Sequence, residues 1–290
     1  MRDITACYSE HAINISDSYC SGPSNRPYVS QNSTPSIREA VSCIYKARKK
    51  FLIKITWCSL SGQGFTINVC EGNPSSNSKF GSYSRQLRKL KGSKKFEFCN
   101  SKVDIIWDLS SAKYVSGPEP ISGYYVSVFI DSELGLLLGD MKDVLELRKL
   151  KNGIEYSIIS RSEHFSGNDA VYTTKARFCD SGLSHEITIR CVGEEKGRRN
   201  SVLEICIDKK NVIKVKRLQW NFRGNQTIFV DGILVDMMWD LHDWLFSSSS
   251  SGSSAVFMFK TRSGDDSRLW MEENDQFGFC LLICASKNPE

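Results

Sequence analysis

Little in this chain announces chemistry. Only four of its 290 residues are histidines, and His11, His164, His185 and His242 stand far apart with no nucleophile motif around them. The GxSxG elbow, the HExxH helix and the phosphate-binding glycine loop are all missing. The eleven cysteines include no CxxC pair; the nearest two, Cys280 and Cys284, have three residues between them. Zinc sites are usually built from two tight Cys or His pairs, so no metal and no cofactor are expected. Asp104 and Asp108, like Asp236 and Asp240, sit roughly 13 Å apart along an extended strand, too far for a glycosidase pair. The expectation is a protein without a catalytic site.

Long apolar runs are missing too. The longest, Phe277 to Ala285 with Gly278 inside it, is about half of the roughly 18 residues that a spanning helix needs, so it reads as a buried strand. The N-terminus lacks the apolar core of a secretory signal. The expected compartment is the cytoplasm, with the nucleus as the alternative, and the thiols are expected to act as small buried side chains there. The Asn-x-Ser/Thr matches at Asn14, Asn32 and Asn225 then carry no sugar. A net charge of +5 permits an acidic partner without demanding nucleic acid.

What is present is alternation. Phe51, Ile53, Ile55 and Trp57 alternate with Leu52, Lys54 and Thr56; Phe65, Ile67 and Val69 alternate with Thr66, Asn68 and Cys70. Period two of this kind marks half-buried strands. Further strands are expected at 95–99, 103–109 and 124–130, and nine more between 156 and 284. Residues 1–36, polar and without period, read as a disordered arm, and the serine tract 247–254 as a flexible loop. One segment has helical spacing: Met141, Val144, Leu145, Leu147 and Leu150 predict a linking helix at 141–153.

The strongest signal is self-similarity. Val103-Asp104-Ile105-Ile106-Trp107-Asp108-Leu109 matches Val235-Asp236-Met237-Met238-Trp239-Asp240-Leu241, and Gly92 meets Gly224 at the same offset. Alternation alone would not put Trp-Asp-Leu in register twice. The reading is an all-β fold of two tandem, related antiparallel halves, 37–140 and 154–290, joined by the helix. Each half is sandwich-like or barrel-like, since periodicity sets faces but not closure. Trp107 and Trp239 are expected in the two cores.

At these residues the chain resembles a plant-specific family of unknown function, the one numbered 868. The resemblance is carried by Val103 to Leu109 and on to Tyr114, then Ser116-Gly117-Pro118-Glu119-Pro120. It continues through Ser160-Arg161 with Glu163-His164, Val215 to Thr227, and Trp239 to Phe246. It spans about residues 35–285 and implies a plant source; it supplies no function.

Two clusters of cations are the candidate site. Arg85, Arg88, Lys89 and Lys91, with Lys94 and Lys95, surround Gly92; Lys214, Lys216, Arg217 and Arg223, with Lys209 and Lys210, surround Trp220. Two such ribbons could hold phosphates of a nucleic acid or a lipid headgroup, with Trp220 stacking on a base. The plainer reading is a solvated strand face charged against edge-to-edge association. Trp244 and Phe246 are candidates for a pocket rim. The expected function is a non-enzymatic binding or scaffold protein with an unidentified protein partner; the alternative is a salt-sensitive binder of an anionic ligand.

Overall fold

The computed structural model describes residues 36–47, 51–59, 64–71, 82–140, 156–167, 171–179, 182–192, 201–247, 253–262 and 278–287. The N-terminal arm, the helix expected at 141–153 and most of the serine tract lie outside the described residues. Residues 34–290 form one compact unit.

The described chain is all-β. Its strands are β1 (Ile37–Lys46), β2 (Phe51–Cys58), β3 (Phe65–Glu71), β4 (Ser82–Leu87), β5 (Lys91–Phe98), β6 (Ser101–Asp108), β7 (Tyr125–Ile130) and β8 (Glu133–Gly139). The second half holds β9 (Ser157–Ser166), β10 (Val171–Ala176), β11 (His185–Val192), β12 (Val202–Ile207), β13 (Lys210–Val215) and β14 (Arg223–Val230). β15 (Ile233–Asp240), α1 (His242–Phe246), β16 (Ser254–Thr261) and β17 (Cys280–Ser286) complete it. Two-residue turns with positive φ at both positions close several hairpins, among them Cys99-Asn100 and Asp231-Gly232. That turn geometry matches the twist of the flanking strands.

Among the described residues the strands form three open sheets, and none closes into a barrel. The order in the largest is β14-β15-β16-β17-β9-β1-β2-β3-β4; the other two run β5-β6-β7-β8 and β10-β11-β12-β13. β9 carries the nine-stranded sheet across the boundary between the halves, antiparallel to β1 and parallel to β17.

The registers say which faces meet. Val41 pairs with Glu163 and Cys43 with Arg161; on the other side of β9, Leu281 pairs with Arg161 and Ile283 with Glu163. Paired residues share a face, so all of these point the same way. Val41 and Cys43 belong to a core shared with β5–β8, and Leu281 and Ile283 to a core shared with β10–β13. Both four-stranded sheets therefore pack on one face of the nine-stranded sheet, side by side, and the seam between them runs over β9.

Each core is anchored by an indole. Trp107 is 4% exposed and Trp239 8%. Trp107 Nε1 donates to the Lys89 carbonyl and Trp239 Nε1 to the Asn221 carbonyl, eighteen residues upstream in each case. Both rings lie over a glycine in the neighbouring strand: a Cβ on Gly92 would come within 2.8 Å of the Trp107 ring, and one on Gly224 within 2.3 Å of the Trp239 ring. Glycine is thus the residue that lets the ring lie flat on the strand. The following Leu109 and Leu241 amides donate to Leu90 and Phe222.

Candidate binding surface

The two basic clusters occupy sheet edges. β4 and β14 are the opposite ends of the nine-stranded sheet, while β5 and β13 are the edges of the two smaller sheets. Eight strand steps separate β4 from β14, roughly 38 Å along the sheet. The structure thus does not bring the two ribbons into one site, a point that the sequence leaves open. Lysines on edge strands discourage pairing with other chains, the plainer of the two readings above.

Five of these cations are already engaged. Lys91 pairs with Asp108 at 2.8 Å, Lys95 with Asp104 at 2.9 Å, Lys214 with Glu204 at 2.7 Å and Arg223 with Asp240 at 2.8 Å. Arg88 donates to the Gln86 side chain. The Lys91 ammonium leads the effects that hold the Asp108 carboxyl below its ordinary pKa. Lys216 and Arg217 have no acidic partner among the described residues and stand exposed where β13 gives way to β14.

That corner also carries aromatic surface. Trp220 is 76% exposed and Phe246 49%. Phe222, His242 and Phe246 form a triangle with each ring centroid 5.5 Å from the next, and Arg223 lies over the Phe222 ring at 5.8 Å. The loop is pinned: Trp220 and Asn221 amides both donate to the Arg217 carbonyl, and the Asn221 side chain donates to Lys216 O. Trp244 does not join this rim. It is 7% exposed, edge-on to Tyr172, with the Lys287 ammonium 4.6 Å from its ring centroid. The short helix turns it inward, so it packs in the core.

The seam holds an ion network that sequence reasoning missed. Glu163 is wholly buried between Arg38 Nε at 3.0 Å and Arg161 Nε at 2.7 Å, and its Oε1 accepts the Thr174 hydroxyl. Arg161 reaches on to Glu119 in the proline loop with two nitrogens, at 2.6 and 3.2 Å. Arg38 donates to the Thr173 carbonyl on β10. Burial opposes the Arg161 charge, but Glu119 and then Glu163 outweigh it and push its pKa up. Burial drives the neighbouring Cys43 thiol up to about 11. β1, β9, β10 and the 116–120 loop are thereby tied at one point. The one signal for it was that Glu119, Arg161 and Glu163 lie in the stretches carrying the resemblance.

His185 is 8% exposed and clamped from both sides, Nδ1 to Asp208 at 2.6 Å and Nε2 to Asp231 at 2.8 Å. Burial works against its charged form, yet Asp231 and Asp208 prevail and raise its pKa. His185 in turn lowers both carboxyls. His242 Nδ1 lies 2.9 Å from Asp243. Among the described residues no group of three His, Cys, Asp or Glu could hold a metal, no two of the nine cysteines are joined in a disulfide, and no helix is long and apolar enough to cross a membrane.

A two-layer, all-β body with paired buried charges and an aromatic corner defines the class: a β-sandwich protein whose surface features sit on sheet edges. Within that class the chain belongs to the family described as plant protein of unknown function (DUF868), whose model matches residues 36–287. Neither a curated protein nor a solved structure matches the chain.

Proposed function

We propose that this protein is a non-enzymatic binding scaffold, working inside the plant cell, whose recognition surface is the β13–β14 corner. The observation that carries the reading is Trp220, held 76% exposed in a loop pinned by the Trp220 and Asn221 amides on the Arg217 carbonyl and by the Asn221 side chain on Lys216 O. An indole costs free energy to leave in water, and exposed Trp and Arg are the residue types that dominate recognition surfaces. Phe246, with Lys216 and Arg217, which have no acidic partner among the described residues, extends the patch.

The buried polar groups support a binding role over catalysis. Both ring nitrogens of His185 are taken by carboxylates, leaving none to act as a base. Glu163 is spent on two guanidinium groups and a hydroxyl. Burial raises the Cys43 and Cys191 thiols to about 11 and about 12, away from the thiolate a nucleophile needs.

The test is capture from plant extract with the full chain and with Trp220→Ala, Phe246→Ala and a distant control, Tyr83→Ala. A partner that is kept by the control and lost with both corner variants is expected. Equal capture by all four would overturn the corner. The second reading, an anionic ligand held by Lys216 and Arg217, rests on their lack of acidic partners. It requires affinity that falls steeply with salt and fails with Lys216→Glu/Arg217→Glu.

A further inference from the structure

Six strand margins bound the three sheets: β4, β5, β8, β10, β13 and β14. Five of them carry a device against pairing. β4 is six residues long and carries Arg85. β5 carries Lys91, Lys94 and Lys95. β8 has a register shift, and its Leu137 carbonyl accepts the Tyr156 hydroxyl. β10 is six residues long and gives its Thr173 carbonyl to Arg38. β13 has Lys210 and Lys214 and a register shift.

β14 has none of these beyond Arg223 at its first position. It runs eight residues in unbroken register with β15, from Arg223↔Asp240 to Val230↔Ile233, and no residue after Arg223 is charged. Val230 and Ile233 flank the two-residue Asp231-Gly232 turn, so Val230, Ile228, Gln226 and Gly224 exchange their hydrogen bonds with β15. The N–H and C=O groups of Asn225, Thr227 and Phe229 therefore point away from the sheet. Among the described residues they have no partner. Phe229 is 72% exposed, and its cross-strand neighbour Leu234 is 43% exposed.

We infer that β14 accepts an extended, acidic peptide segment as a tenth strand of the large sheet. The free amides and carbonyls supply the ladder, and the Phe229–Leu234 pair supplies an apolar seat for alternate side chains. Charge selects the occupant. Exposed Lys216 and Arg217 stand at the start of β14, and exposed Lys209 and Lys210 lie in the adjoining β12–β13 hairpin. His185 joins the Asp208 turn to the Asp231 turn at the far end of β14, so two copies paired antiparallel edge to edge would set Lys216 and Arg217 of one against Lys209 and Lys210 of the other, and a second copy is disfavoured. The inference rests on the proposed recognition corner and names its partner class: a polypeptide strand of alternating apolar and acidic residues.

The test uses the full chain and a fluorescent peptide alternating valine and glutamate, with its valine–lysine counterpart as control. Saturable binding of the glutamate peptide, weakened by salt, is expected, and none of the lysine peptide. Asn225→Pro removes one outward donor and leaves the β15 ladder intact, since proline is tolerated where an edge N–H faces water. It should weaken binding at least about tenfold. If that variant melts early, Phe229→Glu carries the same test through its charge and its lost ring. Binding unchanged by either substitution, or equal binding of the lysine peptide, overturns the inference. A concentration-dependent dimer abolished by Asn225→Pro overturns it in favour of self-pairing. No binding of the glutamate peptide by the unsubstituted chain, with partner capture at Trp220 intact, would sink strand addition and leave the corner standing.

Discussion

The hairpins β5-β6 and β14-β15 are built on one plan and finished differently. In each, an indole lies over a glycine, donates to a carbonyl eighteen residues upstream, and is followed by an aspartate that pairs with a cation on the neighbouring strand. The aspartate also accepts a backbone amide two residues on, from Ser110 or His242. Beyond that frame the halves part. β5 is armed with three lysines, whereas β14 is neutral after its first residue. The connection after β6 sends Glu119 into the seam; the one after β15 coils into α1 and drives Trp244 into the core. The lesson is that the shared part is packing and the divergent part is surface, where a binding protein acquires its specificity.

The comparison breaks first if the frame is not shared. Trp107→Ala and Trp239→Ala should each cost about 3–5 kcal/mol in denaturant unfolding, as large core truncations do. Gly224→Val should cost more than Gly92→Val, because the Trp239 ring lies nearer its glycine. Near-equal losses for the glycine pair would mean the rings shift freely.

Next is the seam. Glu163→Ala would leave Arg38 with no carboxylate and Arg161 with Glu119 alone, and breaking a buried pair from one side typically costs about 3–5 kcal/mol. Glu163→Ala should also lower the unfolding transition of both halves together, read from Trp fluorescence, since β9 belongs to the sheet they share. Separate transitions in the parent protein would contradict that.

A smaller effect should separate the halves by pH. His185 opens β11 as Phe51 opens β2, where Phe51 packs against Phe98 with centroids 6.2 Å apart. The raised His185 pKa means its clamp is at full strength below the ordinary histidine value of about 6.5 and is lost as pH rises through the raised value. At the acid end, the lowered Asp208 and Asp231 contribute above the ordinary carboxyl value of about 3.9 and lose their contribution as pH falls through the lowered ones. His185→Phe should flatten the melting temperature across both windows; an unchanged profile would remove the clamp. Smallest is the edge itself: replacing Lys91, Lys94 and Lys95 by threonine should leave the fold intact yet raise light scattering, as β5 comes to resemble β14.

Much of the frame was legible beforehand. Alternation marked β2, β3, β6 and β15 because one face of each is buried, and the repeated Trp-Asp-Leu exposed the common plan. β8 was missed because Leu134, Leu136 and Leu137 are buried on both faces, which erases the period. The sheet order was out of reach, since alternation says nothing about which strand lies beside which. That is why the basic ribbons read as paired although they stand on the edges of different sheets, β5 and β13. The seam was hidden for the same reason: Arg38, Glu119 and Arg161 are far apart in the chain and meet through β1–β9 pairing. Trp220 and its cations were legible as a patch, but that β14 is an open edge was not.

The open edge of β14 is read most directly from its amides. Residue-resolved hydrogen exchange on the full chain should show alternation, with Gln226, Ile228 and Val230 slow and Asn225, Thr227 and Phe229 fast, and the fast set should slow when the valine–glutamate peptide is added. Uniform protection along β14 in the free protein, or fast amides that the bound peptide leaves fast, would contradict it.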